Sequence, residues 1–134
     1  MLQALNIFFF VFHTVLVLFN ILGWIWRRTR RWNLITLGAT AFSWFVMGFW
    51  KGVGYCLCTD WHMQVRRQLG YHDTAQTYIQ LMSQTLTGLT PPAQLTETVT
   101  AFVFAVSVIA SVTLNIADIK RAKRQSLGPQ EFLV

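Results

Sequence analysis

Three long apolar stretches constrain this 134-residue chain more than any other feature of its sequence. They run from about residue 5 to 26, from 33 to 55 and from 99 to 119. A helix needs roughly 20 mostly apolar residues to cross the hydrocarbon core of a bilayer, so each stretch is long enough. The first stretch lacks the basic start and the small-residue cleavage site of a signal peptide. We therefore predict three membrane-spanning helices.

The composition favours a membrane protein. Hydrophobic residues make up 54% of the chain and charged residues 12%, which is about half the charged share of a typical soluble domain. This balance excludes a disordered chain, a coiled coil and an ordinary soluble fold. The predicted fold class is an all-α integral membrane protein. It consists of one membrane domain over residues 1–134, a small helical bundle of three transmembrane helices with one or two short amphipathic helices at the outer face.

Most of the cations lie in two short runs, each directly after an apolar stretch, and they give the chain a net charge of +6. Cations at helix ends contact lipid headgroups and set topology, so we expect anchors in the bilayer rather than contacts to nucleic acid. The positive-inside rule puts the N-terminus outside, the first run inside, residues 56–98 outside and the tail 120–134 in the cytoplasm. The predicted anchors are Arg27, Arg28, Arg30, Arg31, Lys120, Arg121, Lys123 and Arg124.

The segment 56–98 is predicted to form two short helices. One runs from Asp60 to Leu69, is ended by Gly70, and has an apolar face of Trp61, Val65 and Leu69. The other lies within residues 74–89, which have helical apolar periodicity but are too short and too polar to span. We expect this helix to lie on the membrane surface or across the mouth of the bundle. A fourth span here would place the second basic run outside, against the charge rule.

The third apolar stretch is predicted to start its helix early. Thr90 is a candidate N-cap, and Pro91 and Pro92 suit a first turn, where proline has no hydrogen bond to lose. A helix from Pro91 to about Arg124 would be longer than the bilayer is thick. The residues from Ser126 onwards are expected to form a short loose tail.

Each predicted span carries polar residues at helical spacing, which puts them on one face. Lipid cannot satisfy these groups, so we expect the faces to meet each other or a partner protein, with Asn20 bonded to Asn115 and Asp118 close to Arg30, Arg31 or Lys120. The pairs Ala101/Ala105 and Ser107/Ser111 are small enough for close helix approach. This polar seam consists of Asn6, His13, Asn20, Thr40, Ser43, Lys51, Ser107, Ser111, Asn115 and Asp118.

His13 is an ionisable residue inside a predicted span, which makes it a functional candidate. As a structural residue it would be a neutral imidazole bonded to a hydroxyl of Thr40, Ser43 or Ser107. As a functional residue it would be a haem ligand, a quinone contact or a proton relay. Haem held by two histidines needs a second histidine at similar depth, and neither His62 nor His72 falls inside a predicted span.

Two cysteines and a histidine follow the second apolar stretch: Cys56, Cys58 and His62. These donors suit copper or zinc chemically, but a structural zinc site usually has four protein ligands, and the spacing of the cysteines is not a standard one. A disulfide between Cys56 and Cys58 would close a very small, strained ring. We expect partly buried thiols and a surface histidine, with metal binding as the alternative.

The sequence resembles a family of small bacterial membrane proteins of unknown function, over about residues 4 to 118. That family has a histidine in the first span and a Gly-aromatic-x-Cys-Pro-Leu-Thr motif after the second. This chain has Leu57-Cys58 in place of Pro-Leu, and His62 where the family has Glu. The resemblance implies a membrane location and no established activity. The matching segments are Phe12-His13-Thr14-Val15-Leu16, Gly54-Tyr55-Cys56-Leu57-Cys58-Thr59, Arg66-Arg67, Gly70-Tyr71 and Gly88-Leu89-Thr90.

These patterns favour a non-enzymatic protein of the bacterial inner membrane, and no catalytic residue is predicted. We expect an accessory or scaffold subunit of a membrane complex, or a homo-oligomer, because three short helices have more polar surface than they can bury among themselves. No cofactor is predicted. The alternative is a redox, metal or haem-handling protein that uses His13 or the Cys56/Cys58/His62 corner. A transporter is disfavoured because the chain has no internal repeat.

Overall fold

The computed structural model describes residues 1–51, 56–72 and 74–127, and within them the chain forms five helices and no strand. Residues 52–55, with the predicted end of the second span and the Gly54-Tyr55 part of the motif, lie outside this description, as does the tail 128–134. The helices are α1 (Leu2–Leu22), α2 (Arg30–Lys51), α3 (Leu57–Gln68), α4 (Tyr78–Thr87) and α5 (Ala93–Leu127).

Three of these helices, α1, α2 and α5, are long and apolar enough to cross a membrane. The prediction of an all-α protein with three such helices is confirmed. Helix α2 starts inside the first arginine run, earlier than predicted. Helix α5 runs from Ala93 through the second basic run to Leu127, close to the predicted helix from Pro91 to about Arg124. Cationic residues near a helix C-terminus interact favourably with the helix dipole, which suits the basic run to the last turns of α5.

Helix α2 changes its winding in the middle. It is α-helical over Arg30–Phe42, forms a π-helical turn over Ser43–Met47, and returns to α-helix over Gly48–Lys51. Trp44, in the π turn, packs on Phe104 of α5 with ring centroids 4.8 Å apart. This aromatic pair joins the middle of α2 to the middle of α5.

The two short helices have local stop and start signals. Thr77 and Gln80 form a capping box at the start of α4, and Gly88 ends the helix in the left-handed conformation at φ 74°. Gly70, at φ 83°, follows the end of α3. Both helices are too short to cross a membrane. Helix α3 starts three residues earlier than the sequence pattern indicates, with Cys56 in the N-cap position.

The interior of the bundle is mainly polar. Helix α1 packs against α3 and α5, and α2 packs against α5. Among the described residues, the buried apolar ones are Leu37, Ala75, Tyr78 and Leu81. The buried polar ones are more numerous: Asn6, His13, Asn20, Asn33, His62, Gln80, Thr96, Ser107, Ser111 and Asn115. Large apolar side chains cover the outside, the arrangement expected when lipid surrounds a protein.

The short helices bury residues that the sequence pattern did not single out. In α3, Trp61 is exposed, whereas His62 is fully buried, so the expectation of a surface histidine is wrong. In α4, Tyr78, Gln80 and Leu81 are buried and Leu86 is exposed. The buried side of α4 thus combines apolar residues with one amide.

Candidate functional site

A group of polar side chains links α1 to α3 and α4, and we call it the histidine cluster: Asn6, His13, Thr14, His62 and Tyr78. Asn6 and His13, together with Asn20, are the buried residues of α1, all of which lies within the described chain. Their spacing of seven puts them on one face. Tyr78 is the first residue of α4, placed there by the capping box, and it is 5% exposed.

His62 enters the cluster from α3. Its Nε2 atom lies 2.8 Å from Asn6 Oδ1, and its ring lies between those of Phe9 and Phe10 at centroid distances of 6.1 and 6.4 Å. Arg66, one turn further along α3, donates to the same Asn6 oxygen at 3.5 Å. The Asn6 side-chain oxygen of α1 thus hydrogen-bonds two side chains of α3, His62 and Arg66, and these bonds join the two helices.

Tyr78 enters the cluster from α4. Its hydroxyl donates to the Phe10 carbonyl at 2.7 Å and lies 2.7 Å from Thr14 Oγ1. Its ring stacks on His13 with centroids 3.9 Å apart and planes 12° from parallel. Burial raises the pKa of Tyr78, and the hydrogen bond to Thr14 opposes that rise. The phenol is therefore neutral and acts as a hydrogen-bond donor to the backbone of α1.

The surroundings of His13 differ from the predicted ones. Its ring is stacked on Tyr78, which no sequence signal in the first span indicates, and its Nδ1 atom is buried without a hydrogen-bond partner in the described part of the chain. His62 lies outside the three long helices, as expected, but it is not a surface histidine, because it is buried against α1 beside Phe9 and Phe10. Tyr78 occupies the stacking face of His13 and lies 6.4 Å from His62, centroid to centroid.

A second polar group, the asparagine layer, joins α1, α2 and α5: Asn20, Asn33, Thr40, Ser111 and Asn115. Asn20 Nδ2 donates to Thr40 Oγ1 at 3.0 Å, and Asn33 Nδ2 donates to the Phe19 carbonyl at 2.7 Å. Asn115 Nδ2 donates to the Ser111 and Arg30 carbonyls at 2.8 and 3.2 Å. The predicted bond between Asn20 and Asn115 is therefore wrong. The Asn20 side chain bonds Thr40 of α2, and the Asn115 amide bonds two backbone carbonyls.

Gly23 is part of the same layer. A Cβ atom at this position would lie 2.5 Å from the Phe19 carbonyl oxygen and 2.9 Å from Asn33 Nδ2. Real Cβ atoms do not approach other atoms so closely, so a larger residue would displace the Asn33 amide. Glycine is needed here for close approach of the end of α1 to the start of α2.

The two basic runs meet at one end of the bundle. Arg30 Nη1 lies 2.7 Å from Asp118 Oδ2, and Arg27 Nε lies 3.9 Å from Asp118 Oδ1. Arg30 also donates from Nε to the Trp24 carbonyl at 2.9 Å. Of the three partners expected for Asp118, the structure selects Arg30. This ion pair fixes the start of α2 against the last third of α5.

The other seam residues are distributed between the interior and the surface. Of the two pairs of small residues in α5, Ser107 and Ser111 are buried in the bundle, whereas Ala101 and Ala105 are exposed on its outer surface. Thr40 and Ser43 are half-buried, and Lys51 is exposed at the end of α2. Asp60, in the first turn of α3, receives a hydrogen bond from Gln64 at 2.9 Å.

The three candidate metal ligands, Cys56, Cys58 and His62, do not form a common site in the structure. Cys56 precedes α3 and Cys58 lies in its first turn, both half-buried and neither in a disulfide. Burial raises the pKa of Cys58, and the adjacent Cys56 thiol raises it further. His62 bonds Asn6 in the histidine cluster. Among the described residues, no three His, Cys, Asp or Glu side chains come together as metal ligands.

The described side chains form hydrogen-bonded links between helices, each centred on an amide, an imidazole or a phenol. The fold and its buried polar groups thus define an all-α protein with three potential membrane spans and a polar interior. The chain belongs to the family described as "Protein of Unknown function (DUF2784)", which matches residues 3–116. The expectation of an uncharacterised family is confirmed. No curated protein and no solved structure matches the chain.

Proposed function

We propose that this protein is a non-enzymatic, multi-pass membrane protein that acts as an accessory or scaffold subunit, in a complex or as a homo-oligomer. The observation that carries the proposal is the pair of small residues on the outer surface of α5, Ala101 and Ala105, which are exposed one helical turn apart. Without a hydrophobic driving force between helices in lipid, close approach at small residues is a main source of association.

The polar seam gives only part of the reason for a partner. Asn6, His13, Asn20, Ser107, Ser111 and Asn115 are buried within one chain, whereas Thr40, Ser43 and Asp118 are half-buried and Lys51 is exposed. What supports a partner is the contrast within α5. Its Ser107/Ser111 pair lies inside the bundle, and its second small pair lies outside it. The outer pair has bulky neighbours, Phe102 and Ile109, that are also exposed.

The redox and metal alternative is not proposed. Its two sets of residues serve as structural links in the described chain: His13 stacks on Tyr78, and His62 bonds Asn6. The accessory role needs no chemistry from these side chains, only a rigid bundle with a defined outer surface.

The test is the mass of the purified protein in mild detergent, with two variants that enlarge exposed side chains on different faces of α5. The protein mass of the wild-type particle, with bound detergent subtracted, is expected to exceed the 15.4 kDa of one chain. Ala101→Leu/Ala105→Leu is expected to release the partner, since the added side chains prevent close approach. Val99→Leu/Val106→Leu enlarges exposed positions elsewhere on the helix and is expected to leave the particle intact. A wild-type monomer with no co-purifying protein contradicts the proposal.

We also propose a location and an orientation: the bacterial inner membrane, with the N-terminus and residues 56–98 outside and both basic runs in the cytoplasm. The ion pair between Arg30 and Asp118 supports this, because it holds the two runs at the same end of the bundle. Three spans and the positive-inside rule require that arrangement.

A further inference from the structure

A half-open cleft lies where the turn between α1 and α2 meets the last part of α5, with a volume of about 690 Å³. Six of the residues that line this arginine cleft are arginines, and its lining contains one carboxylate, that of Asp118. The cationic lining is Arg27, Arg28, Arg30, Arg31, Arg121 and Arg124. Two runs separated by about 90 residues of sequence thus share one concave surface.

The base of the cleft is fixed by internal contacts. The Arg30 side chain is 13% exposed, and it is held by the Trp24 carbonyl and by Asp118. Arg27 approaches the other oxygen of the same carboxylate at 3.9 Å. The one carboxylate of the cleft thus bonds Arg30 at the base and also interacts with the charges of Arg27 and Arg121, which leaves five more arginine charges in the lining than carboxylate charges.

The rim has an excess of positive charge. Arg28, Arg31, Arg121 and Arg124 are exposed, and none of them makes a hydrogen bond or an ion pair within the described residues. Like charges held together repel one another, and a bound anion removes that repulsion. A guanidinium presents paired N–H donors that match the oxygens of a phosphate in two-point contact.

The position of the cleft in the bundle favours the phosphate of a lipid headgroup over a free phosphate ion. It lies at the end of three helices that can cross a membrane, where the headgroups of a surrounding bilayer would be. Its α5 wall also contains Ile119 and Ala122, both exposed, which offer apolar contact to an acyl chain next to the arginines.

We propose that the arginine cleft is a binding site for the phosphate-bearing headgroup of an anionic phospholipid. The headgroup phosphate is held by the rim arginines, and the acyl chains pass along the exposed apolar surface of α5. The proposal differs from a general attraction between a basic protein and an anionic membrane. It assigns lipid binding to the arginines that line the cleft and not to the neighbouring lysines, Lys120 and Lys123. It does not depend on the proposed accessory role.

The test uses a pair of variants with the same change in charge. Arg28→Gln/Arg121→Gln removes two cations from the cleft lining, and Lys120→Gln/Lys123→Gln removes two exposed cations of the second run that do not line it. The full-length proteins are purified in a neutral detergent and titrated with phosphatidylglycerol or phosphatidylcholine, and bound lipid is counted by native mass spectrometry. A thermal unfolding curve for each variant verifies that it is folded.

Wild type is expected to retain phosphatidylglycerol in preference to phosphatidylcholine. The arginine pair is expected to weaken phosphatidylglycerol binding by about tenfold or more, and the lysine pair by less than about twofold. An equal loss in the two pairs, or no preference in wild type, overturns the proposal. Inorganic phosphate is titrated in a parallel series. If it displaces the lipid completely at low millimolar concentration, the cleft takes a soluble phosphate ligand, and the assignment to lipid is overturned.

Discussion

The imidazole ring of His13 and the phenol ring of Tyr78 lie almost parallel, with their centroids 3.9 Å apart. This stack joins the middle of the first long helix to a short helix that comes before the third. The Tyr78 hydroxyl adds two hydrogen bonds to the same part of α1, at Phe10 and Thr14. The segment between the second and third long helices is thus attached to the bundle by polar contacts as well as by apolar ones.

Replacement of Tyr78 by phenylalanine separates these two contributions. Tyr78→Phe keeps the ring on His13 and removes the hydroxyl, so we expect the free energy of unfolding to fall by about 1–2 kcal/mol. Tyr78→Ala also removes the buried ring and is expected to cost about 3–5 kcal/mol. Reversible unfolding in mixed micelles measures both losses. Tyr71→Phe, at an exposed tyrosine, is the control, and a loss as large as that of Tyr78→Phe would contradict this interpretation.

Removal of the Asn6 side chain tests the link between α1 and α3. Asn6→Ala removes the 2.8 Å hydrogen bond between Asn6 Oδ1 and His62 Nε2, and the loss of one such hydrogen bond costs about 0.5–1.5 kcal/mol. Gln3→Ala removes an exposed amide one turn earlier on the same helix and is expected to change the free energy of unfolding by less than about 0.5 kcal/mol. Equal effects of the two substitutions would show that the Asn6–His62 contact contributes nothing to stability.

Two glycines give a matched comparison for the asparagine layer. Gly23→Ala would place a Cβ atom 2.9 Å from Asn33 Nδ2, and we expect destabilisation by about 1–3 kcal/mol. Gly38→Ala, inside α2, meets nothing within 4 Å and is expected to stabilise the helix by roughly 0.5–1 kcal/mol. Thermal unfolding followed by circular dichroism compares the two variants. Stabilisation by Gly23→Ala would contradict the close approach of α1 and α2.

The alkylation rate of Cys58 is expected to rise with pH, and the midpoint of that rise is expected to lie above the pKa of a free cysteine. Burial and the adjacent Cys56 thiol both raise the pKa of Cys58 above its ordinary value of 9.0, and the thiolate is the reactive form. In the Cys56→Ser variant, the midpoint is expected to fall part of the way back, because burial remains and the neighbouring thiol is gone. Iodoacetamide kinetics between pH 7 and about 11 measure the midpoint. A midpoint at or below that of free cysteine contradicts the prediction.

The three long helices could be predicted from the sequence because length and hydropathy alone decide whether a helix can cross a bilayer. The buried face of α1 was also readable, since Asn6, His13 and Asn20 recur at every seventh residue. The ends of α5 were close to the predicted ones, since Pro91 and Pro92 suit a helix start and arginine and lysine are good helix formers. The start of α2 inside the first arginine run was not predicted.

The histidine cluster could not be assembled from the sequence. The distance between residues 6 and 62, or 13 and 78, is set by how α3 and α4 fold back on α1, and no local pattern specifies that. One signal was nevertheless present: His62 and Arg66 are spaced one helical turn apart, as in the seams of the spanning helices. Applying the membrane rule of polar residues inward to α3 would have placed His62 inside.

Labelling each loop from a known side of the membrane is the most direct test of three spans with both basic runs in the cytoplasm. Single cysteines at Arg28, Gln68 and Gln125, introduced in a Cys56→Ser/Cys58→Ser background, are treated with a membrane-impermeant maleimide in vesicles of both orientations. We expect Arg28→Cys and Gln125→Cys to react from the cytoplasmic side and Gln68→Cys from the opposite side. Reaction of Arg28→Cys and Gln125→Cys from opposite sides, or of all three from one side, would contradict three spans with both basic runs in the cytoplasm.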